Sequence, residues 1–155
     1  MAPTAPPFLP VDIERAVRTR LGDRSVRFTA TRQTVVAELA RTEGPVTPAD
    51  LHDRLGAAVP LSSLYRTLAT LDECGIVRRT HDGEGITRFE LAEWLNGHHH
   101  HLVCTACGEV RDVEIDRDWE HTVGSLVRRV AAASGYTVTG HRIDIEGKCA
   151  RCAPA

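Results

Sequence analysis

The chain has 155 residues, of which 42% are hydrophobic, and a formal net charge of −2. This composition excludes a disordered chain and a uniformly basic protein, so any surface for nucleic acid must be local. No apolar run approaches the roughly 18 to 20 residues that cross a bilayer, and "MAPTAPPFLP" lacks the apolar stretch of a secretion signal. We therefore expect a cytoplasmic protein without a membrane span, in which residues 1–10 form a flexible arm.

Residues 11–91 have the pattern of a winged helix-turn-helix domain. Apolar residues recur at helical spacing in four segments, "VDIERAVRTRLG", "TATRQTVVAELART", "TPADLHDRLG" and "SSLYRTLATLDECG". After Gly75, "IVRRTHDGEGITRFEL" contains two strand-like runs around Asp82-Gly83-Glu84-Gly85, which is a hairpin signal. Residues 92–97, "AEWLNG", weakly interrupt the strand pattern and are predicted to be a hinge.

The fourth helix is the candidate DNA-reading element. Its leucines, Leu61, Leu64, Leu68 and Leu71, are expected to face the core. Ser62, Arg66 and Thr70 are expected on the opposite face, with Ser63 and Tyr65 on its flanks. These polar side chains suit base edges and phosphates. An ordinary solvated helix face is an equal alternative from this segment alone. Residues 15–41, with seven arginines against two acids, favour a phosphate-contacting flank.

Residues 98–155 predict a small α+β domain. "HHHHLVC" and "GEVRDVEI" are strand-like, residues 116–135 have one apolar helical face, and "YTVTGHRIDIEGKC" returns to strand alternation. That helical face consists of Trp119, Val123, Leu126, Val127 and Val130. A domain of about sixty residues is too small for a large core, so it would gain stability from a metal and from dimerisation.

Four of the five cysteines form two C-x-x-C pairs, Cys104/Cys107 and Cys149/Cys152. Four thiolates in two such turns are typical of a structural, tetrahedral Zn²⁺ site. A thioredoxin-type redox site is the alternative, but it needs one pair only and no βαβ pattern follows Cys107. The fifth cysteine, Cys74, precedes Gly75 at a helix end and is interpreted as a small buried apolar residue.

Together these segments resemble a known family. "VRFTATRQTVV", "SSLYRTL", "GIVRR", "RFEL" and "HHHHLVCTACG … CARC", in this order, are similar to the ferric uptake regulator family of bacterial metal-responsive repressors. The resemblance covers nearly the whole chain after the proline-rich arm. It implies an N-terminal DNA-binding domain, then a hinge, then a C-terminal domain that dimerises and binds metal. Arg27, Thr29 and Arg32, in the first of the quoted segments, are further candidate DNA-contacting residues.

The histidine run can serve two sites, because alternate side chains of a strand share a face. His99 and His101 would face one way, and the resemblance adds Glu90 and Asp112 to form a regulatory site that bridges the two domains. His98 and His100 would face the other way and join His141, with Glu120 or His121. The family often has a histidine where this chain has Pro45, so His81 of the wing is a candidate replacement. A surface tract that scavenges metal is the alternative for the whole run.

The function implied is a repressor that senses a divalent metal and binds palindromic operators as a homodimer. The imidazole and carboxylate donors suit Fe²⁺, Zn²⁺, Mn²⁺ or Ni²⁺, with iron or zinc expected first. A peroxide-sensing member of the family and a zinc storage or metallochaperone protein are alternatives. An enzyme is not expected, because the sequence has no HExxH motif and no nucleophile elbow.

Overall fold

The computed structural model describes residues 9–81 and 85–153. Contacts divide the chain into two compact units, of which the first ends at His98 and the second begins at His99. Residues 1–8 of the predicted arm and residues 82–84 of the predicted hairpin turn lie outside the described residues. None of the helices within the described ranges is both long and apolar enough to cross a membrane.

The first unit has the predicted helices followed by the predicted hairpin. The elements are α1 (Val11–Gly22), α2 (Ala30–Leu39), α3 (Pro48–Leu55), a short 3₁₀ helix (Gly56–Ala58), α4 (Leu61–Glu73), β1 (Val77–His81), β2 (Thr87–Leu91) and α5 (Glu93–Asn96). Strands β1 and β2 are antiparallel, with Arg78 opposite Glu90. Val46 forms an isolated bridge with Phe89, which attaches the loop before α3 to the hairpin. This order of elements confirms the winged helix-turn-helix.

Side-chain caps fix where two of these helices begin. The Thr29 hydroxyl accepts the backbone N–H of Arg32 at 3.4 Å at the start of α2. At α3 the caps are reciprocal, because the Thr47 hydroxyl accepts the Asp50 N–H at 3.1 Å while the Asp50 carboxylate accepts the Thr47 N–H at 3.4 Å. Such caps satisfy N–H groups that have no partner inside the helix. The helix boundaries are therefore set locally by the sequence.

Three features at the edges of the first unit were not predicted from the sequence. Leu9, assigned to the flexible arm, is only 8% exposed and belongs to the hydrophobic core, so the folded domain begins before Val11. Leu61, assigned to the core, is 45% exposed because it is the first residue of α4 and lies beyond the packed turns. The predicted hinge contains helix α5, whose Trp94 indole N–H donates to the Gly75 carbonyl at 2.8 Å and lies beneath the Arg20 guanidinium.

The second unit is a three-stranded sheet with one long helix. Its elements are β3 (His100–Cys104), β4 (Val110–Val113), α6 (Arg117–Ser134) and β5 (Asp144–Gly147). The strand order is β4-β3-β5, with β3 and β4 antiparallel and β3 and β5 parallel. The strand predicted from Tyr136 is realised only over Asp144–Gly147. This pairing places the last two histidines of the run, His100 and His101, in the central strand, between two edge strands.

Helix α6 leaves three residues of its predicted apolar face exposed and the other two, Val123 and Val127, half-buried. Asp116 caps its start, and Gly135, with a φ of 71° that favours glycine, ends it. No residue of α6 is buried. Trp119 is 65% exposed, and Leu126 and Val130 are each 57% exposed. The second unit alone therefore does not bury the apolar face of its only long helix among the described residues.

Candidate metal centres and nucleic-acid face

The four paired cysteines lie together at one end of the second unit. Cys104 ends β3, Cys107 lies in the turn that follows, and the other pair follows β5. Their sulfur atoms all lie within 4.8 Å of one another, and Cys107 Sγ is 3.9 Å from Cys149 Sγ. Thiolates bound to one tetrahedral Zn²⁺ at about 2.3 Å are about 3.8 Å apart. The spacing and the donors therefore fit a structural zinc site, as the sequence predicts.

The cysteines differ in their electrostatic surroundings. The backbone N–H of Cys149, with those of Ala106 and Cys107, lowers the pKa of Cys104 to about 6. Hydrogen bonds with the Cys149 and Cys107 side chains, together with burial, raise the pKa of Cys152 to about 12. At neutral pH, without metal, the cluster thus contains a thiolate at Cys104 and a thiol at Cys152. Binding of Zn²⁺ must displace the Cys152 proton.

We predict that the apparent zinc affinity of the cysteine site rises with pH. The Cys152 proton must leave throughout the neutral range, since the pKa of Cys152 is about 12. Each released proton gives about a tenfold gain in apparent zinc affinity per pH unit, so the Cys152 proton alone sets a slope of at least about tenfold. Below the Cys104 pKa of about 6 that residue must lose a proton too, so the dependence becomes steeper. Competition with a chelator between pH 5 and pH 8 measures this slope. A zinc affinity independent of pH would contradict the four-thiolate assignment.

The first histidine cluster consists of His99, His101 and Asp112. His101 pairs with Asp112 across β3 and β4. The Nε2 atoms of both histidines lie 3.8 Å from Asp112 Oδ1, and both rings are buried with their centroids 5.2 Å apart. Donors that each lie about 2.1 Å from one ion can be at most about 4.2 Å apart. The three donors can therefore hold one divalent metal.

The second cluster lies on the opposite face of β3. The Glu120 carboxylate is 3.0 Å from His100 Nε2 through Oε2 and 3.0 Å from His141 Nε2 through Oε1. His100 is buried, and the rings of His100 and His141 have centroids 5.4 Å apart. Of the two acid or imidazole partners expected here, the structure brings in Glu120, whereas His121 is exposed on α6. The clustered residues form a second nitrogen and oxygen donor set.

The remaining predicted ligands belong to the first unit. Glu90 lies in β2, where Arg78 donates to its Oε1 through Nε at 3.1 Å and Nη2 at 2.8 Å. Burial alone would lower the pKa of Arg78, but the hydrogen bonds and charges of Glu90 and Glu93 outweigh this effect and raise it. His98 Nδ1 is 3.6 Å from a Glu93 carboxylate oxygen. Arg78 also donates to Glu93, so Glu90 at the end of β2 and His98 at the start of the histidine run belong to one network of charged side chains.

His81 is separated from Glu90 by the register of the hairpin. His81 pairs with Thr87, whereas Glu90 pairs with Arg78. His81 and Arg78 are three positions apart in β1. Three residues of strand span about 10 Å. The His81 Nδ1 atom lies 3.2 Å from the Thr87 hydroxyl. His81 and Glu90 are therefore not placed to share one ion, and the candidate replacement for the histidine absent at Pro45 is not supported.

One acid beside the first cluster was not among the predicted ligands. Asp144 pairs with His101 across the parallel strands β3 and β5, and its Oδ1 lies 3.0 Å from His101 Nδ1. Arg142 Nη2 lies 3.0 Å from the other oxygen of the same carboxylate. The signal was the polar-apolar alternation of "HRIDIEG", but alternation alone does not say which strand pairs with which.

The polar face of α4 is mostly in the predicted place. Ser62, Tyr65 and Arg66 are exposed, whereas Ser63 and Thr70 are half-buried. The Thr70 hydroxyl donates to the Arg66 carbonyl at 2.9 Å, which engages it within the helix. Arg66 Nη2 lies 3.5 Å from Ser63 Oγ. The polar side chains that are accessible for DNA contacts are therefore those of Ser62, Tyr65 and Arg66, in the first two turns of α4.

The predicted basic flank is partly engaged within the protein. Arg18 pairs with Glu14, Arg20 stacks on Trp94, Arg24 donates to the Glu73 carbonyl and Arg32 donates to the Arg27 carbonyl. Thr29 caps α2 with its hydroxyl. Arg15, Arg27 and Arg41 are exposed. The local excess of positive charge remains, because these contacts neutralise few of the cations, but several guanidinium groups are held in fixed positions.

Comparisons with known proteins agree with this architecture. The family model "Ferric uptake regulator family" matches residues 23–146. The ferric uptake regulation protein of Vibrio parahaemolyticus is 33% identical over 133 residues, which cover 83% of this chain and 85% of that protein. The crystal structure of the Vibrio cholerae ferric uptake regulator superposes with a TM-score of 0.67 at 29% identity, covering 85% of this chain and 98% of that chain.

A more distant structure shows the same fold. The Helicobacter pylori ferric uptake regulator has a TM-score of 0.72 at 20% identity, and the match covers 93% of each chain. The family consists of transcription regulators rather than enzymes, which agrees with the absence of a catalytic motif from the sequence. The family match covers the winged-helix unit from the end of α1 onward and most of the metal-donor unit. The chain therefore belongs to the ferric uptake regulator family of metal-responsive regulators.

Proposed function

We propose that this protein is a cytoplasmic repressor that binds palindromic operator DNA as a homodimer when a divalent metal fills a regulatory site. The observation that carries the proposal is the convergence of His99, His101 and Asp112, with 3.8 Å between each Nε2 and Asp112 Oδ1, directly after a winged-helix unit. A metal sensor needs both a donor set that can bind a divalent metal and an element that reads DNA, and these two features support the proposal.

Glu90 is the proposed ligand from the winged-helix unit. It lies in β2, the last strand before α5, and only eight residues separate it from His99. Arg78 holds its carboxylate in the first unit. Three ligands from one unit and a fourth from the other would tie the orientation of the winged helix to the presence of metal. The resulting set has two imidazoles and two carboxylates.

This donor set contains no thiolate, so it favours metals that accept nitrogen and oxygen ligands. Fe²⁺, Mn²⁺, Ni²⁺ and Zn²⁺ all meet this description. The 33% identical Vibrio parahaemolyticus protein is a ferric uptake regulation protein, which supports iron as the first metal to test. His98, His100, Glu120 and His141 are the proposed ligands of a second site of similar chemistry, and the four cysteines are the proposed ligands of the structural zinc.

In the proposed mechanism, metal and DNA favour one arrangement of the two units. Glu90, His99, His101 and Asp112 would hold the metal, whose positive charge would attract the Glu90 carboxylate to the histidine nitrogens of the second unit. The recognition helices of the dimer then match successive major grooves of the operator. Coupling between two sites is typically about 1 to 3 kcal/mol, so metal would tighten operator binding by about 5- to 150-fold. The same factor applies to the effect of DNA on metal affinity.

A titration tests the proposal. Protein that retains one zinc per chain is mixed with Fe²⁺, Mn²⁺, Ni²⁺ or Zn²⁺, and binding to operator fragments selected from genomic DNA is measured. We expect one or more metals to increase specific DNA binding by at least about fivefold. Specific binding that is equally tight with and without metal, or no specific binding, would overturn the proposal. In the latter case, metal storage becomes the better explanation of the donor clusters.

We predict that Arg66→Ala weakens operator binding by about 1 to 3 kcal/mol without changing metal affinity. Arg66 is exposed on α4 next to Tyr65, which is 53% exposed, and both lie where a recognition helix meets the groove. Fluorescence anisotropy with labelled operator measures the loss, and calorimetry measures metal binding. Arg111→Ala, which removes an exposed arginine of the second unit, is the matched control. Equal losses for both variants would indicate a general charge effect.

We predict that Leu126→Glu weakens the dimer. Leu126 lies on the apolar face of α6 with Trp119 and Val130, and burial of these exposed side chains by a second copy would account for the amphipathic pattern. Sedimentation velocity should show dimer for the parent protein and monomer at the same concentration for the variant. Arg128→Glu, on the other side of the helix, is the control. A dimer that survives Leu126→Glu would place the interface elsewhere.

A further inference from the structure

We infer that Asp144 is a positioning residue for His101, which fixes the ring so that Nε2 is the atom presented to the regulatory metal. The inference rests on the proposed function, because it takes His101 as a ligand of that site. The Asp144 Oδ1 atom lies 3.0 Å from His101 Nδ1. Neither the family resemblance nor the spacing of the histidines assigns a role to this acid.

The chemistry of the contact determines the tautomer. A carboxylate accepts hydrogen bonds and does not donate them, so the Nδ1 atom beside Asp144 must bear the hydrogen. In a neutral imidazole the hydrogen then lies on Nδ1, and Nε2 has the lone pair that a metal needs. That Nε2 atom lies 3.8 Å from Asp112 Oδ1, as does His99 Nε2. Both rings therefore present the same kind of nitrogen to the same carboxylate oxygen.

The backbone holds Asp144 at this position. Strand β5 pairs in parallel with β3, and the register sets Asp144 against His101 and Gly147 against Cys104. The backbone N–H of His101 donates to the Ile143 carbonyl at 3.1 Å. Arg142 Nη2 lies 3.0 Å from Asp144 Oδ2, which orients the second carboxylate oxygen away from the ring. Strand pairing thus fixes the backbone of Asp144, and Arg142 fixes the orientation of its carboxylate.

The cysteine site lies at the other end of the same two strands. Cys104 ends β3, and the Cys149 N–H donates to Cys104 Sγ at 3.3 Å just after β5. The Thr105 N–H also donates to the Gly147 carbonyl at 2.8 Å. A structural zinc would therefore lock the β3–β5 register that brings Asp144 to His101. By stabilising this strand register, the zinc site would help to keep Asp144 in contact with His101 in the regulatory site.

Metal binding by the full-length, zinc-loaded protein tests the inference. Mn²⁺ titrations are made in a His141→Ala background, so that the second cluster lacks one of its donors. We expect Asp144→Ala to weaken Mn²⁺ binding by about 10- to 100-fold, the usual cost of losing a partner of a histidine ligand. Asp144→Asn, which keeps the shape and an acceptor but loses the charge, should have a smaller effect. Glu146→Gln, two residues along β5 and opposite Val103, is the matched control.

Nitrogen-15 NMR of the histidine rings gives a second readout that needs no metal at the regulatory site. We expect His101 to be the Nδ1–H tautomer in the parent protein and to become a mixture of tautomers in Asp144→Ala. An Nε2–H tautomer in the parent protein would overturn the inference, even if Asp144→Ala failed to fold. Mn²⁺ affinity within about twofold of the parent in a folded Asp144→Ala protein would also overturn it.

These outcomes are distinguishable from failure of the proposed function. If the parent protein shows no metal-dependent DNA binding, the Mn²⁺ affinities and the tautomer still report whether Asp144 positions His101. Conversely, a normal metal switch with unchanged affinity in Asp144→Ala would leave the repressor intact and remove Asp144 from the site. Retention of one zinc per chain and an unchanged thermal transition show that the variants are folded.

Discussion

His99→Ala is expected to bind operator equally tightly with and without added metal, whereas the parent protein gains about 5- to 150-fold from metal. His99 Nε2 is 3.8 Å from Asp112 Oδ1, and its side chain is buried at the point where the second unit begins. Alanine removes one donor of the proposed regulatory site and leaves Arg66 and the rest of α4 unchanged. DNA binding without metal should therefore match that of the metal-free parent.

The measurement is operator binding by anisotropy across a metal titration, with the cysteine site loaded with zinc throughout. His121→Ala is the control, because His121 is an exposed histidine of the same unit that lies outside the clusters found among the described residues. It should keep the full response to metal. Undiminished metal dependence in His99→Ala would refute the regulatory assignment. A weaker response in both variants would point to diffuse binding by the histidine run.

The features predicted correctly from the sequence are those that local physics determines. The period of two along a strand separates His99 and His101 from His100, and the structure shows two donor sets on opposite faces of β3. The helical spacing of apolar residues predicts four helices in the first unit, and α1 to α4 lie in those four segments. The two C-x-x-C pairs predict a tetrahedral site because four thiolates are the usual ligands of a structural Zn²⁺. This prediction does not depend on the path of the chain between the two pairs.

The features that the sequence did not reveal depend on contacts between distant residues. Leu9 is buried because the helical core reaches beyond the start of α1, which composition does not show. Trp94 anchors the predicted hinge because its indole reaches the Gly75 carbonyl, nineteen residues away. Asp144 meets His101 through a parallel strand pairing across 43 residues. Each of these requires the fold to be known before the neighbour can be named.

Loss of the cysteine site is expected to have the largest effect on the folded state. Cys104 is buried, ends the central strand and accepts the Cys149 N–H through its sulfur. Structural zinc contributes about 10 to 16 kcal/mol to the folding of small zinc domains near neutral pH. We therefore predict that Cys104→Ser loses the stoichiometric zinc and the cooperative folding of the second unit. The first unit, with its own core, should keep its transition.

Elemental analysis and calorimetric unfolding of Cys104→Ser measure both effects. Cys74→Ser is the matched control, because Cys74 is also buried but lies in the core of the first unit. It should retain one zinc per chain and destabilise only the first unit. Since the second unit contains β3 and its histidines, Cys104→Ser should lose metal-dependent operator binding as well. One tightly bound zinc in Cys104→Ser would show that the metal is held by other ligands, and the link from zinc through the β3–β5 register to Asp144 and His101 would then fail.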